Sequence, residues 1–340
     1  MKKIPILIVG FCYAFVCRAQ SITGVTGKKD TSYSTYSAYV STLKTHPNIK
    51  IVPEFKSKLV SEKRNVSYCE IGDRKLMLDV FHPTNQNTAT SAAIIIIHGG
   101  GWRTGNRTQH YPLAQRLAAL GYVCFTPEYR LSTEALYPAA VYDLKAAIRW
   151  IHANAKEYNI DTTRIAALGF SAGGELAAFL GVTNDNKKFE GNDCTPGQSS
   201  NVDAIVDMDG ILAFIHPESG EGDDSRAISA ATNWFGYSKT ENPELWKEGS
   251  SLTYVGAQTP PTLFINSSVV RMHAGREDFI KVLNQFNIYS EVKTFTDAPH
   301  SFPLFYPWFE PTLKYTDDFL KKVFNVFVRR NHPSLSNDFF

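Results

Sequence analysis

Ser171 stands in Gly169-Phe170-Ser171-Ala172-Gly173-Gly174, behind the apolar run Ile165-Ala166-Ala167-Leu168 and ahead of the helix-forming Glu175-Leu176-Ala177-Ala178-Phe179-Leu180. The order is strand, sharp turn, helix. A serine at the tip of such a turn is held in a strained backbone conformation that lifts its hydroxyl clear of a sheet, and glycines flank it because a Cβ would strike the neighbouring strand or helix. Ser171 reads as a nucleophile. Upstream, Ala92-Ala93-Ile94-Ile95-Ile96-Ile97 ends in His98-Gly99-Gly100-Gly101-Trp102. Successive glycines leave N–H groups free to face the oxyanion that forms when a nucleophile adds to a carbonyl. The N–H groups of Gly100, Gly101 and Ala172 are the expected donors. Near the C-terminus, Ser290 to Thr296 alternates like a strand and runs into Asp297-Ala298-Pro299-His300. A histidine on the loop after a last strand can take the serine proton and hand it to a leaving group. Among nine histidines, His300 is selected by order along the chain: serine first, histidine last, with strands between.

These side chains need a sheet to hold them. Val66 to Ile71 and Lys75 to Phe81, joined through Gly72-Asp73, read as an antiparallel hairpin. Helices are expected at about residues 109–119, 139–157, 175–182, 277–286 and 312–328, alternating with apolar strands, so the sheet is mostly parallel. The segment 211–258 breaks the rhythm with Pro217 to Asp224 and Trp234-Phe235-Gly236. It reads either as a cap-like insertion overhanging the site or as a plain surface excursion.

With these pieces in order, the chain resembles the α/β-hydrolases, specifically the HGGGW-type esterase branch related to hormone-sensitive lipase and feruloyl esterases. Further pieces that carry the resemblance are Pro127-Glu128-Tyr129-Arg130-Leu131, Tyr137-Pro138-Ala139-Ala140-Val141-Tyr142-Asp143-Leu144, Arg149-Trp150-Ile151 and Asn159-Ile160-Asp161. The resemblance spans residues 65 to 330. It implies an α/β fold with a mostly parallel twisted sheet of about eight strands, helices on both faces and an N-terminal hairpin. It also implies Ser-His-acid hydrolysis of esters through an acyl-enzyme, with no cofactor and no metal.

The acid departs from the common pattern. Most such hydrolases carry it after the strand that corresponds here to Pro261–Asn266, but Ser267-Ser268-Val269-Val270 follows and holds no carboxylate. Asp209, which ends the strand Val202–Asp209, is the first choice. Glu277 and Asp278 are the alternatives, although acids in a first helical turn are also explained by the helix dipole. Asp207 lies further from the strand's C-terminal end, and Asp297 is too close to His300 along the chain.

Substrate preference rests on slighter signals. Trp102, next to the glycine run, and the aromatics from Phe302 to Phe309 suit either a sugar ring or ordinary packing. Arg103, Arg107 and Arg271 lie on loops expected near the mouth, where a guanidinium fork could hold a carboxylate. Ile265-Asn266-Ser267-Ser268, His273-Ala274-Gly275-Arg276, Pro299-His300 and Trp308-Phe309-Glu310-Pro311 are similar to exported bacterial carbohydrate esterases, including the α/β-hydrolase type of pectin methylesterase. That similarity implies methyl or acetyl esters on plant cell-wall polysaccharide as substrate. A general carboxylesterase or lipase, and an inactive hydrolase domain that binds glycan, are the competing readings.

Composition bounds the remainder. A chain of 340 residues, 43% hydrophobic, can bury a large single core. Met1-Lys2-Lys3, the apolar Ile4 to Val16 and Cys17-Arg18-Ala19 read as a signal peptide over residues 1–19, implying export to the periplasm or beyond. The apolar run is short for a stable membrane span. Without Lys2, Lys3 and Arg18 the net charge changes from +2 to −1, which argues against nucleic acid as a partner. Cys69, Cys124 and Cys194 then remain, enough for one disulfide at most. Residues 20–61, rich in Ser, Thr, Tyr and Lys without a sustained period, read as a leader draped over the hydrolase domain at 62–340. The pattern does not fix an oligomeric state.

Overall fold

The apolar runs set the architecture. In a computed structural model, which describes residues 24–85, 89–191 and 194–331, the strands are β1 (Lys50–Ile51), β2 (Val60–Ile71), β3 (Arg74–Pro83), β4 (Ser91–Ile97), β5 (Val123–Pro127), β6 (Ile160–Phe170), β7 (Ala204–Met208), β8 (Thr262–Asn266), β9 (Ser290–Thr294) and β10 (Phe305–Tyr306). Eight of them form one sheet in the order β2-β3-β5-β4-β6-β7-β8-β9. The β2–β3 and β3–β5 pairs are antiparallel and the other pairs are parallel. This is the predicted sheet, hairpin included.

The helices are α1 (Thr35–Thr42), α2 (Tyr111–Ala119), α3 (Ala139–Ala153), α4 (Ala172–Val182), α5 (Ala230–Phe235), α6 (Pro243–Glu248), α7 (Arg276–Gln285) and α8 (Phe309–Asn331). Strand alternation divides the core into two layers. Ile95 and Ile97 of β4 pack with Leu144 of α3 and Leu176 of α4, whereas Ile94 and Ile96 pack with Leu113 of α2 and Leu320 of α8. A side chain of this kind contributes roughly 1.5–3 kcal/mol when fully buried. β4 and β6 lie at the centre of the sheet, so their C-terminal ends form a rigid platform.

Two regions are ordered by partners that no local pattern reveals. The segment before β2 is tied down at both ends: the Thr26 and Gly27 N–H groups donate to the Thr133 carbonyl, and β1 pairs antiparallel with β10. The segment 211–258 carries α5 and α6, whose Trp234, Phe235 and Trp246 form a buried aromatic cluster with Phe214 and Trp102. Cys69 of β2 is disulfide-bonded to Cys194, and Cys124 is a buried free thiol in β5. The proposed signal peptide lies outside the described residues. Among the described residues, no helix is long and apolar enough to cross a membrane.

Candidate active site

β6 and α4 meet at Ser171, whose φ of 57° and ψ of −123° are the strained turn conformation expected at this position. The glycines are steric necessities. A Cβ on Gly169 would lie 1.9 Å from the Gly173 carbonyl oxygen, and one on Gly173 would lie 2.2 Å from that of Ile97. Only bare backbone lets α4 start this close to β4 and β6.

His300 approaches from the loop after β9, with its Nε2 2.8 Å from Ser171 Oγ. On the other edge of the ring, Nδ1–H donates to Asp209 Oδ2 at 2.9 Å. Asp209 follows β7, is fully buried and has a φ of 54°. Its carboxylate is anchored from the loop after β8: the Ser267 N–H donates to Oδ1 at 2.8 Å and the Ser267 hydroxyl to Oδ2 at 2.5 Å. The two bonds fix the orientation of the carboxylate from both of its oxygens. The next residue, Ser268, donates its N–H and its hydroxyl to the Ala298 carbonyl, which fixes the loop carrying His300. The position after β8, where an acid is common, thus holds the serine that orients an acid on the adjoining strand.

Gly100 (φ 125°) and Gly101 (φ 59°) turn the chain sharply after β4. Their N–H groups and that of Ala172 have no acceptor among the described residues, and both glycines border a cavity of about 330 Å³ with Ser171 and His300. Unpartnered donors beside a nucleophile are arranged to receive negative charge. Ser32 and Tyr33 of the N-terminal segment and Ala230 of α5 complete part of the wall.

The other sequence candidates lie elsewhere. Glu277 pairs with its neighbour Arg276, and Asp278 with Lys281 and His216, so neither alternative acid touches His300. Trp102, expected to offer its face to substrate, is buried; it stacks on Trp234 with ring centroids 4.9 Å apart and donates through Nε1 to Glu175 Oε2. Arg103 borders the cavity, but its guanidinium is held by Asp30 Oδ2 at 2.8 Å, with Gly24 O and Asn233 Oδ1 nearby. Arg107 is held by Asp79 and Glu128. Arg271 is exposed, 3.8 Å from Glu221, and does not border the cavity. Phe302, Phe305, Trp308 and Phe309 are buried in the core layer of α8 rather than set around the site.

Beneath the turn, Glu175, which the sequence did not single out, lies near Asp207 of β7. Glu175 Oε1 and Asp207 Oδ2 are buried without hydrogen-bond partners. Burial, reinforced by their mutual repulsion in the case of Glu175, pushes its carboxyl well above the usual range; burial does the same to Asp207. In both, burial favours the neutral carboxyl over the charged one.

The BD-FAE family model matches residues 78–271. The chain is similar to Esterase LipC of Mycobacterium tuberculosis, 31% identical over 212 residues that cover 61% of this chain and 50% of that protein. It spans about half the length of the curated relatives it matches first. Among solved structures it is similar to a truncated form of a carbohydrate esterase from gut microbiota, 25% identical with a TM-score of 0.67, covering 79% of this chain and 99% of that one. It is also similar to a bifunctional GH43-CE protein of Bacteroides eggerthii, 25% identical with a TM-score of 0.64, covering 77% and 38% of the respective chains.

Proposed function

The chain belongs to the BD-FAE family, and from that premise we propose that it is a serine esterase acting on methyl or acetyl substituents of plant cell-wall polysaccharide. The observation that carries the catalytic part is His300 hydrogen-bonded between Ser171 and Asp209. His300 Nε2 accepts the Ser171 proton as Oγ adds to the ester carbonyl. The oxyanion meets the N–H groups of Gly100, Gly101 and Ala172. His300 then protonates the departing alkoxide, leaving an acyl-serine, and the same base activates a water that releases the acid. Throughout, Asp209 keeps the proton on Nδ1 and balances the imidazolium, and Ser267 keeps Asp209 aimed.

Support for the carbohydrate part is that one structural neighbour is a carbohydrate esterase and another a bifunctional GH43-CE protein. A cavity of about 330 Å³ walled by glycine backbone suits a small ester group. Export belongs to this reading as well, and a disulfide suits an oxidising compartment. The test is a panel of esterified polysaccharides scored separately for methanol and acetate. Release of either from pectin or acetylated xylan is expected. Neither product, together with good turnover of long-chain esters, would replace this reading with that of a general lipase.

A further inference from the structure

We propose that a second cavity, bordered by Lys28, Lys29 and His98 on the other side of the glycine turn, is a carbohydrate subsite that takes an anionic sugar residue of the polymer cleaved at Ser171. This rests on the ester-hydrolase reading above. The cavity measures about 430 Å³ and is the larger of the two. Its charged lining is Lys28, Lys29 and Arg74 against Glu128 and Glu134. Both carboxylates are already held: Glu128 by Arg74 and Arg107, and Glu134 by Arg74. Lys28 and Lys29, exposed at the rim, have no ion-pair partner among the described residues. The unbalanced charge is positive.

The inner wall is suited to hydroxyl groups. His98 is 2% exposed and stacks on Tyr129 with centroids 4.5 Å apart. Its Nδ1 lies 2.9 Å from the Gly99 carbonyl oxygen, which can only accept, so Nδ1 carries the hydrogen. Burial drives the imidazole pKa down to about 4, so the ring is neutral. Nε2 is then an acceptor, with no protein donor among the described residues, and a ligand hydroxyl matches it. The rim is fixed by the bonds from Thr26 and Gly27 to Thr133, so the lysines are presented without further ordering of the backbone.

The two cavities share one strip of chain. Gly27–Lys29 border this cavity and Ser32–Tyr33 border the one at Ser171. Three residues from Lys29 to Ser32 span at most about 11 Å, so the two linings lie within the reach of a short oligosaccharide. Uronate carboxylates are the anions such a polymer carries.

The test uses the full chain with Ser171→Ala, in which binding is read without turnover, so that failure here is distinct from failure of the catalytic reading. A uronate trisaccharide and a neutral xylose trisaccharide are titrated by calorimetry. The uronate is expected to bind more tightly, by about ten-fold, and to lose about ten-fold on adding Lys28→Ala and Lys29→Ala. Its binding should also weaken as ionic strength rises from about 0.01 to 1 M, which shortens the screening length from roughly 30 to 3 Å. Unchanged melting temperature confirms that the lysine variant is folded, and Lys28→Glu with Lys29→Glu should weaken uronate binding further. Equal affinity for the two sugars, or uronate affinity unmoved by the lysine substitutions, would overturn the proposal.

Discussion

Asp209→Asn tests the hydrogen-bond arrangement at its most sensitive point. The Ser267 N–H donates to Oδ1 at 2.8 Å, so the amide oxygen of an asparagine must occupy that side. Its NH2 then takes the place of Oδ2, 2.9 Å from His300 Nδ1. Two donors cannot face each other, so Nδ1 gives up its hydrogen and Nε2 acquires one. A protonated Nε2 facing Ser171 Oγ cannot accept the serine proton, and the imidazolium also loses its counter-charge. The same exchange in a Ser-His-Asp site lowers kcat by about 10⁴-fold, which corresponds to about 5.5 kcal/mol of barrier at about 1.4 kcal/mol per decade. The assay is steady-state kcat on a small chromogenic acetyl ester, with a melting curve to show that the isosteric change leaves the fold intact. A kcat within ten-fold of the parent would refute the assignment of Asp209 and the tautomer argument with it.

Four more outcomes follow from the same structure. Glu277→Gln and Asp278→Asn should leave kcat unchanged, because neither carboxylate reaches His300; a large loss in either would reopen the choice of acid. Glu175→Gln keeps an acceptor for Trp102 Nε1 and removes a carboxyl whose pKa burial raises well above the usual range. Because the native state retains a proton that the unfolded chain releases above about pH 4.5, wild-type stability falls as pH rises toward the folded pKa, by up to about 1.4 kcal/mol per pH unit. The variant's advantage in urea midpoint should therefore widen as pH rises above the range in which the unfolded carboxyl titrates, and parallel curves would contradict it. Replacing Cys69 and Cys194 with serine frees a loop closed over 125 residues, worth about 5 kcal/mol in the chain-entropy account, and should lower the melting temperature. Gly169→Ala should destabilise the fold and abolish activity, since its Cβ would sit 1.9 Å from a backbone oxygen; soluble, active protein would show that the turn yields.

What the sequence conveyed was local. Gly169 to Gly174 after an apolar run specifies strand, turn and helix by steric rules alone, and the apolar run from Val202 ends at Asp209. Those cues select Ser171, chain order selects His300, and Asp209 stands first among three acids; the structure hydrogen-bonds His300 to both Ser171 and Asp209. The arginines illustrate where such reading stops. Arg103 is held by Asp30 and Arg107 by Asp79, partners 73 and 28 residues away, and no period or motif encodes those meetings. The sequence leaves Trp102 open between substrate and packing for the same reason, since its stacking partner Trp234 and its acceptor Glu175 belong to separate segments. Ser267 carries no local signal of its role, because its N–H and hydroxyl meet Asp209 58 residues away in the chain. The N-terminal segment carries no period because its order comes from pairing with β10 and from Thr133; its place beside the site emerged only with the fold.

The most direct measurement is covalent. Treating the protein with a small phosphonate that mimics the tetrahedral intermediate, followed by peptide mass spectrometry, should place one adduct on Ser171 and none when His300→Ala is introduced. An unlabelled Ser171, or labelling that persists at full rate without the imidazole, would contradict a nucleophile activated by His300.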